Sequence, residues 1–345
     1  MVEPCVTVAV ASCNNAAWLA RCLDSVLNQT YRNLEVLVVD DGSTDGTAGV
    51  LEGYRGEPRV RILMQENAGL SAVRQRCLEE ARGEFLCFID ADDYLLPEHV
   101  AAMVSRIAAA GADVCVCSTR VEDAAGNAVE RDGAILRVAA REPLQVTPEL
   151  LSQRHCGLSR LLSLSDSWNK LYRVAFLRAA GVRFSLPKGY NGTDLAFNHK
   201  LVLFGPRYCF EPAEGYCHVL YPGSAVRRGK KELQAGFESI VSDLVAEAKR
   251  AGCFPLLRGK IADLYCYLLW FALIDRIGET AGYRAQVREV RASRGRDAAF
   301  AAAHPELPRG LGPVETRSRR VFLALYRYFP AALPLYFAAR RKLTE

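Results

Sequence analysis

Several features are scarce in this sequence, and each scarcity excludes a class of protein. No run of about 20 uninterrupted apolar residues occurs, so a membrane-spanning helix is not expected. The first residues lack the basic segment of a secretory signal, and the apolar residues 6–11 are soon followed by Asn14 and Asn15, so we expect a cytoplasmic protein. The net charge of +5 over 345 residues is too small to indicate a nucleic-acid partner, although it suits anionic substrates or lipid headgroups.

The composition is otherwise that of a folded globular protein. Hydrophobic residues make up 50% and charged residues 24%, which excludes the polar bias of a disordered chain. The length allows one large or two moderate domains. The 12 cysteines lie inside apolar runs, as Cys115 and Cys117 do, so they are interpreted as buried thiols rather than as a disulfide scaffold.

The first third of the chain alternates short apolar runs with segments of helical spacing, which is typical of βαβ units around a parallel sheet. The predicted strands cover residues 6–10, 34–39, 60–63, 85–89 and 114–117. Helical spacing occurs around residues 18–26 and 72–81, and Pro97 stands where a third helix would begin. From about residue 237 the pattern stays helical. The sequence therefore predicts an α/β domain followed by a helical region.

The first informative motif follows the second predicted strand, where Asp40 and Asp41 precede Gly42, Ser43 and Thr44. Open α/β sheets bind ligands at this end of their strands. A carboxylate there can accept a hydrogen bond from a base N–H or a sugar hydroxyl, while Gly42 permits the turn. A plain turn with Ser43 or Thr44 capping the next helix is the alternative when the motif is taken alone.

A second group of acids, Asp90, Asp92 and Asp93, follows the apolar residues 85–89. Carboxylates this close repel one another unless a cation or hydrogen-bond donors share them. Such hard oxygen ligands suit Mg²⁺ or Mn²⁺, and either ion would neutralise a diphosphate and help it to leave. A solvated turn is the alternative.

Taken together, five motifs in this order resemble the family 2 glycosyltransferases of the GT-A fold. They cover residues 6–14, 22–30, 40–45, 67–74 and 90–93. The resemblance extends over about residues 5 to 225. It implies a mostly parallel α/β sheet flanked by helices, with a Rossmann-like nucleotide-binding half. It also implies an inverting, metal-dependent transfer of sugar from a nucleotide sugar, expected here to be a UDP-sugar, to a glycan or lipid-linked acceptor in cell-surface polysaccharide synthesis.

The resemblance also assigns roles to individual residues. Asp40 would read the uracil ring, Asp90 would lie near the ribose, and Arg74 would line the nucleotide pocket. Asp92 would ligate Mn²⁺ or Mg²⁺ on the diphosphate. The full set assigned to the nucleotide sugar is Asp40, Asp41, Arg74, Asp90 and Ala91.

On the acceptor side, Asp194 matches the family's general base, and it would remove the proton of the acceptor hydroxyl during attack on the anomeric carbon. Thr193 stands where the family commonly has Glu. Contacts to the acceptor or the phosphates are predicted for Trp168, Lys170 and Arg227. Alternatives for these positions are an N-cap for Asp194, packing for Trp168, and solvated surface charges for Lys170 and Arg227.

The predicted organisation is a GT-A domain over residues 1–228, with a nucleotide-sugar half (1–118) and an acceptor half (119–228), and a helical region over 229–345. Its basic, aromatic tail is interpreted either as a helix lying on the cytoplasmic face of the inner membrane or as a buried helix. Two functional alternatives remain open. One is an inactive family member that binds sugar nucleotides or acts as a scaffold. The other is a nucleotidyltransferase, for which the Gly- and Arg-rich phosphate loop expected after Val10 is missing.

Overall fold

The computed structural model describes residues 3–129, 142–185, 192–221, 233–308 and 317–341. The chain forms two compact units. The first comprises residues 1–189 and 193–226, and the second comprises residues 190–192 and 227–345.

The first unit is built on one sheet, which has nine strands within the described ranges. The strands are β1 (Val6–Ser12), β2 (Leu34–Asp41), β3 (Val60–Gln65), β4 (Phe85–Asp90), β5 (Tyr94–Leu95), β6 (Val114–Asp123), β7 (Leu144–Gln145), β8 (Lys170–Arg173) and β9 (Arg207–Leu220). Their spatial order is β3-β2-β1-β4-β8-β6-β9-β5, and β7 pairs with β9. The strands β3, β2, β1 and β4 are parallel, whereas β8 is antiparallel to both of its neighbours. These four strands of the predicted nucleotide-sugar half thus form a parallel part of a mixed sheet, and the division into two halves stays a prediction.

Helices of this unit cover the sheet because their apolar residues recur on one face. They are α1 (Leu19–Leu27), α2 (Thr47–Glu52), α3 (Leu70–Glu80), α4 (His99–Ala110), α5 (Pro148–Leu161), α6 (Val174–Ala180) and α7 (Thr193–Leu201). In α1, for example, Leu19, Cys22, Leu23 and Val26 are all fully buried, at the spacing of one helical face. The three helices predicted in the first third of the chain are confirmed as α1, α3 and α4.

The five strands predicted from apolar runs are confirmed as β1, β2, β3, β4 and β6, but each continues beyond its predicted end. β2 runs through Asp40 and Asp41, because the parallel ladder pairs Ser12 with Asp40 and Asp41 with Gln65. Backbone pairing therefore holds two site acids inside a strand, where the composition of the run had suggested a turn.

The second unit is helical, as predicted. Its helices are α8 (Leu233–Arg250), α9 (Phe254–Glu279), α10 (Tyr283–Ala303), α11 (Arg317–Tyr328) and α12 (Leu333–Arg341). None of the helices in the described ranges has the length and apolarity needed to cross a bilayer. In the basic tail, four aromatic or aliphatic side chains are buried: Phe322, Tyr326, Leu333 and Phe337. One face of the tail therefore packs within the helical unit.

Candidate functional site

The candidate site lies at the carboxyl edge of three neighbouring parallel strands, β2, β1 and β4. The register pairs Asp40 with Ser12 and Asp90 with Ala11. Since adjacent strands lie about 4.8 Å apart, the backbones at Asp40 and Asp90 are separated by about 10 Å across the end of β1. Ligands bind at this edge in open α/β sheets. The two acidic motifs of the sequence thus meet at one place in the fold.

Asp40 is fully buried, and the turn that follows β2 holds its carboxylate. The Ser43 hydroxyl donates to Oδ1, and the Ser43 N–H donates to Oδ2 at 3.2 Å. Gly42 has a φ of +68°, and a Cβ at this position would lie 2.9 Å from the backbone nitrogen of Asn67, so the position favours glycine on both counts. The local turn is therefore present, and the contact of Asp40 with uracil stays a prediction.

Asp41 is 2% exposed and organises the loop that leads into α3. Its carboxylate accepts hydrogen bonds from Gln65 Nε2 at 2.7 Å and from the backbone N–H groups of Ala68 and Gly69, both at 2.8 Å. Hydrogen bonds to a carboxylate are stronger than those between neutral groups. Asp41 thus fixes the start of the helix that carries Arg74, while its direct contact with a nucleotide sugar stays a prediction.

Arg74 is the buried cation at this edge. Its side chain is 2% exposed, its Nη2 lies 2.7 Å from Asp90 Oδ1, and its Nη1 forms an ion pair with Asp194 Oδ1. The guanidinium also lies 5.9 Å from the ring centre of Phe88. A buried guanidinium is tolerated only where carboxylates compensate its charge. Arg74 therefore brings the predicted ribose-side acid and the predicted base together.

Asp194 lies in the first turn of α7, where the helix N-terminus favours a negative charge. Its Oδ2 accepts a hydrogen bond from the backbone N–H of Ser167 at 3.0 Å. Beside it, the Thr193 and Ser71 hydroxyls are 3.0 Å apart in a buried contact. The short hydroxyl side chain of Thr193 fits this contact.

Asp93 and His218 form a second charged pair at the same edge. Asp93 is fully buried and accepts hydrogen bonds from the Tyr216 hydroxyl at 2.6 Å, the Val219 N–H at 2.8 Å and His218 Nδ1 at 3.1 Å. Burial disfavours the charged imidazole, but the hydrogen bond and the charge of Asp93 outweigh it and raise the pKa of His218 to about 9. Asp93 is thus committed to internal donors.

Asp92 lies between Asp90 and Asp93 in the sequence, and it is the residue that fits a divalent cation. Burial, and after it the charges of Asp93 and Asp90, raises the pKa of Asp92 to about 6, so a nearby cation would relieve the repulsion. Its Oδ2 accepts a hydrogen bond from the Tyr221 hydroxyl at 2.8 Å. No set of three His, Cys, Asp or Glu side chains in the described ranges could hold a metal by itself. Mg²⁺ at a diphosphate commonly takes one or two carboxylates and completes its shell with phosphate oxygens and water, and the donors here match that pattern.

Trp168 and Lys170 flank this edge in different ways. The Trp168 ring stacks on His218 with centroids 5.3 Å apart and lies 4.7 Å from the Tyr216 ring. Lys170 is 1% exposed, and its ammonium donates to the carbonyl of Ser163 at 2.7 Å, to Asn169 Oδ1 at 2.9 Å and to the carbonyl of Asp166. Burial lowers the pKa of Lys170 to about 7. Lys170 thus holds the loop of Ser167 together, and its contact with an acceptor or phosphate stays a prediction.

Three residues remain to be placed: Ala91 and Arg227, which were predicted from the sequence, and Arg21, which was not. Ala91 as a whole is only 2% exposed, and its contact with the nucleotide sugar stays a prediction. Arg227 lies outside the described residues. Arg21 was missed by the sequence reasoning, because helical spacing places it opposite the core face of α1. Its guanidinium donates to the Asp92 carbonyl at 3.3 Å and lies 4.7 Å from the ring centre of Tyr94. That contact depends on the loop after β4, for which the local sequence gives no signal.

Comparison with known proteins gives a consistent family. The model of the family described as Glycosyl transferase family 2 matches residues 7–161. The chain is 32% identical over 242 residues to putative glycosyltransferase EpsH of Bacillus subtilis, covering 69% of this chain and 67% of EpsH. It is 29% identical over 228 residues to succinoglycan biosynthesis protein ExoO of Rhizobium meliloti, covering 65% of this chain and 63% of ExoO. The chain thus spans somewhat less than two thirds of ExoO.

The fold has a counterpart among solved structures. Residues 1–349 of S. aureus TarS, crystallised in complex with UDP-GlcNAc, match with a TM-score of 0.71 and 19% identity, covering 98% of this chain and 92% of that chain. At this identity the likeness concerns the fold, and it agrees with a sheet of GT-A type flanked by helices and followed by a helical region. The chain therefore belongs to glycosyltransferase family 2 and is a transferase, and one of its relatives, ExoO, is named for succinoglycan biosynthesis.

Proposed function

We propose that this protein is an inverting, metal-dependent glycosyltransferase that moves a sugar from a UDP-sugar to a glycan or lipid-linked acceptor. The proposal includes action at the cytoplasmic face of the membrane during cell-surface polysaccharide synthesis. The observation that carries it is the double ion pair of Arg74, which joins Asp194 to Asp90, two residues before Asp92. A donor-side acid, a metal-ligand candidate and a base candidate thus share one edge.

The proton in the reaction goes to Asp194. Its carboxylate accepts one hydrogen bond from Ser167 and pairs with Arg74, and a carboxylate has about four acceptor positions, so acceptor capacity remains for a sugar hydroxyl. As the hydroxyl oxygen attacks the anomeric carbon, its proton passes to Asp194 and the bond from that carbon to the diphosphate oxygen breaks. The electron pair of that bond leaves with UDP, and attack from the opposite face inverts the anomeric configuration.

Asp92 acts on the diphosphate part of the donor. When bound, a divalent cation neutralises the charge that develops on the departing diphosphate. Asp92 would hold that cation, with its orientation fixed by the Tyr221 hydroxyl. The charged imidazole of His218, which lies in β9 and is hydrogen-bonded to Asp93, adds positive charge to the same edge. The uracil ring is assigned to Asp40 and the ribose to Asp90.

Calorimetric titration with UDP, with and without Mn²⁺, tests the donor site. We expect Mn²⁺ to tighten UDP binding at least about tenfold, and Asp92→Asn to remove that gain, since one hard ligand is lost. Asp24→Asn is the matched control, because Asp24 accepts the same kind of hydrogen bond, from the Tyr54 hydroxyl at 2.8 Å, on α1. UDP binding that is indifferent to both the metal and Asp92→Asn would contradict the proposed metal site.

The base is tested separately by the release of UDP from UDP-GlcNAc and other UDP-sugars. Asp194→Asn retains an oxygen for the Ser167 N–H, so we expect normal UDP affinity with turnover reduced by about 10²–10⁴-fold. Unchanged turnover would refute the role of Asp194. Intact UDP binding without turnover on any donor, in the unaltered protein, would instead favour the binding or scaffold alternative.

A further inference from the structure

One face of the helical unit combines exposed arginines with exposed aromatic rings. We call it the α10 face and define it by the exposed residues Tyr283, Arg284, Arg288, Arg291, Arg294, Arg327, Tyr328, Phe329 and Leu335. It includes part of the tail but is centred on α10, for which the sequence had predicted no role.

The arginines of α10 lie along one side of the helix. Arg284, Arg288, Arg291 and Arg294 are spaced by four, three and three residues, which keeps them within about a third of the helix circumference. In the part of the chain that the structure describes, none of these four guanidiniums pairs with a carboxylate. Of the two acids of α10, Glu289 is paired with Arg276, whereas Asp297 interacts electrostatically with Arg294 and Arg327. The row is about 15 Å long, and its excess positive charge is carried mainly by Arg284, Arg288 and Arg291, because Arg294 is close to the carboxylate of Asp297.

Two hydrogen bonds show that the tail extends this row. The Tyr283 hydroxyl donates to the carbonyl of Ala331 at 2.8 Å, and Arg294 Nη2 donates to the carbonyl of Arg327 at 3.1 Å. The segment that joins α11 to α12 therefore lies alongside α10. At this segment Tyr328 is 66% exposed and Phe329 is 64% exposed. Among the described residues of the unit, the two most exposed aromatic rings thus lie next to the arginine row of α10.

We propose that the α10 face binds the surface of an anionic lipid bilayer, with the arginines at the phosphate headgroups and Tyr328, Phe329 and Leu335 inserted among them. Charge complementarity favours this partner, because Arg284, Arg288 and Arg291 form no ion pair with a carboxylate among the described residues. The exposed rings favour a bilayer over a soluble polyanion, since only the bilayer can bury them. This inference deepens the membrane location included in the proposed function by naming the surface that makes the contact, and it does not depend on the roles proposed for Asp92 and Asp194.

Co-sedimentation of the full chain with vesicles tests the proposal. We expect binding to vesicles of phosphatidylcholine mixed with phosphatidylglycerol, and little binding to phosphatidylcholine alone. Binding should weaken in about 1 M NaCl, where the Debye length falls to about 3 Å. Arg288→Glu/Arg291→Glu should lower the partition coefficient by on the order of thirtyfold or more, and Tyr328→Ser/Phe329→Ser by on the order of tenfold.

Matched controls are available on α9 of the same unit. Arg258 is exposed and Leu256 is 46% exposed, about 30 Å along the helix from its end near Tyr283. Arg258→Glu and Leu256→Ser should leave vesicle binding unchanged, and circular dichroism shows whether each variant folds. Equal loss in the α10 variants and the controls would overturn the proposal. A second result would also overturn the proposal. If vesicle binding needs the arginines but not the aromatic rings, and heparin abolishes it completely, the face is a general site for polyanions.

Discussion

Replacing Arg74 with methionine tests whether the paired carboxylates at the sheet edge depend on this one cation. Methionine has similar length and similar helix propensity, so α3 should persist. The change leaves Asp90 and Asp194 without their guanidinium, and Asp194 then retains only the Ser167 N–H as a donor from the contacts described above. We expect Arg74→Met to destabilise the first unit.

The expected loss in the free energy of unfolding follows from how deeply the paired side chains are buried. Two unit charges about 4 Å apart interact by about 4 kcal/mol at an effective dielectric constant of about 20. The Asp90 side chain is 31% exposed and therefore partly screened, whereas the Asp194 side chain is 11% exposed, so the Asp194 pair dominates. Breaking a buried pair from one side commonly costs about 3–5 kcal/mol, and we expect a loss in this range. In a cycle with Asp194→Asn, the coupling energy should be about 2 kcal/mol.

Urea unfolding followed by tryptophan fluorescence measures this loss. The chain has three tryptophans, and Trp18 and Trp168 lie in the first unit whereas Trp270 lies in the second. A Trp270→Phe background therefore makes the fluorescence report on the first unit alone.

Arg76, two residues along α3, provides the matched control. It donates to the Met64 carbonyl and Gln65 Oε1 rather than to a carboxylate, so Arg76→Met should cost less than about 1 kcal/mol. A loss below about 1 kcal/mol for Arg74→Met, or equal losses for both variants, would refute the reasoning.

Three further predictions concern other parts of the first unit. Histidine-selective NMR should show that His218 is charged at neutral pH, because the hydrogen bond and the charge of Asp93 outweigh burial and raise its pKa to about 9. Burial lowers the pKa of His99 to about 4, so the His99 ring should be neutral at the same pH. Because the unfolded value is about 6.5, the stabilisation from His218 should be complete below that pH and lost as the pH rises through 9. Lys170→Met should cost about 3 kcal/mol in urea unfolding, since three buried oxygens lose their donor. Gly83→Ala should lower the free energy of unfolding by about 2 kcal/mol or more, because the added Cβ would lie within 2.8 Å of three backbone atoms. Gly49 has open space around it, so Gly49→Ala should stabilise α2 by about 0.5–1 kcal/mol. Equal effects at the two glycines would contradict the packing argument.

The sequence by itself determined the layered architecture. Apolar runs and helical spacing depend on which residues are buried, and burial repeats locally along each strand and helix. That is why the strands that end at Asp41 and Asp90 and the helix that carries Arg74 were all predicted near their observed positions. The edge at which the acids gather also followed, since parallel strands place their carboxyl ends together.

Only the tertiary structure decided how the charges are paired. His218 lies 125 residues after Asp93 and Thr193 lies 122 residues after Ser71, so neither contact leaves a local pattern in the sequence. The same holds for Lys170, whose charge suggested solvent or a ligand but whose ammonium is enclosed by the oxygens of its own loop. A charged side chain can be buried only where other segments of the fold bring groups that compensate its charge. The role of such a side chain therefore depends on which segments the fold brings together, and the residue type alone does not reveal it.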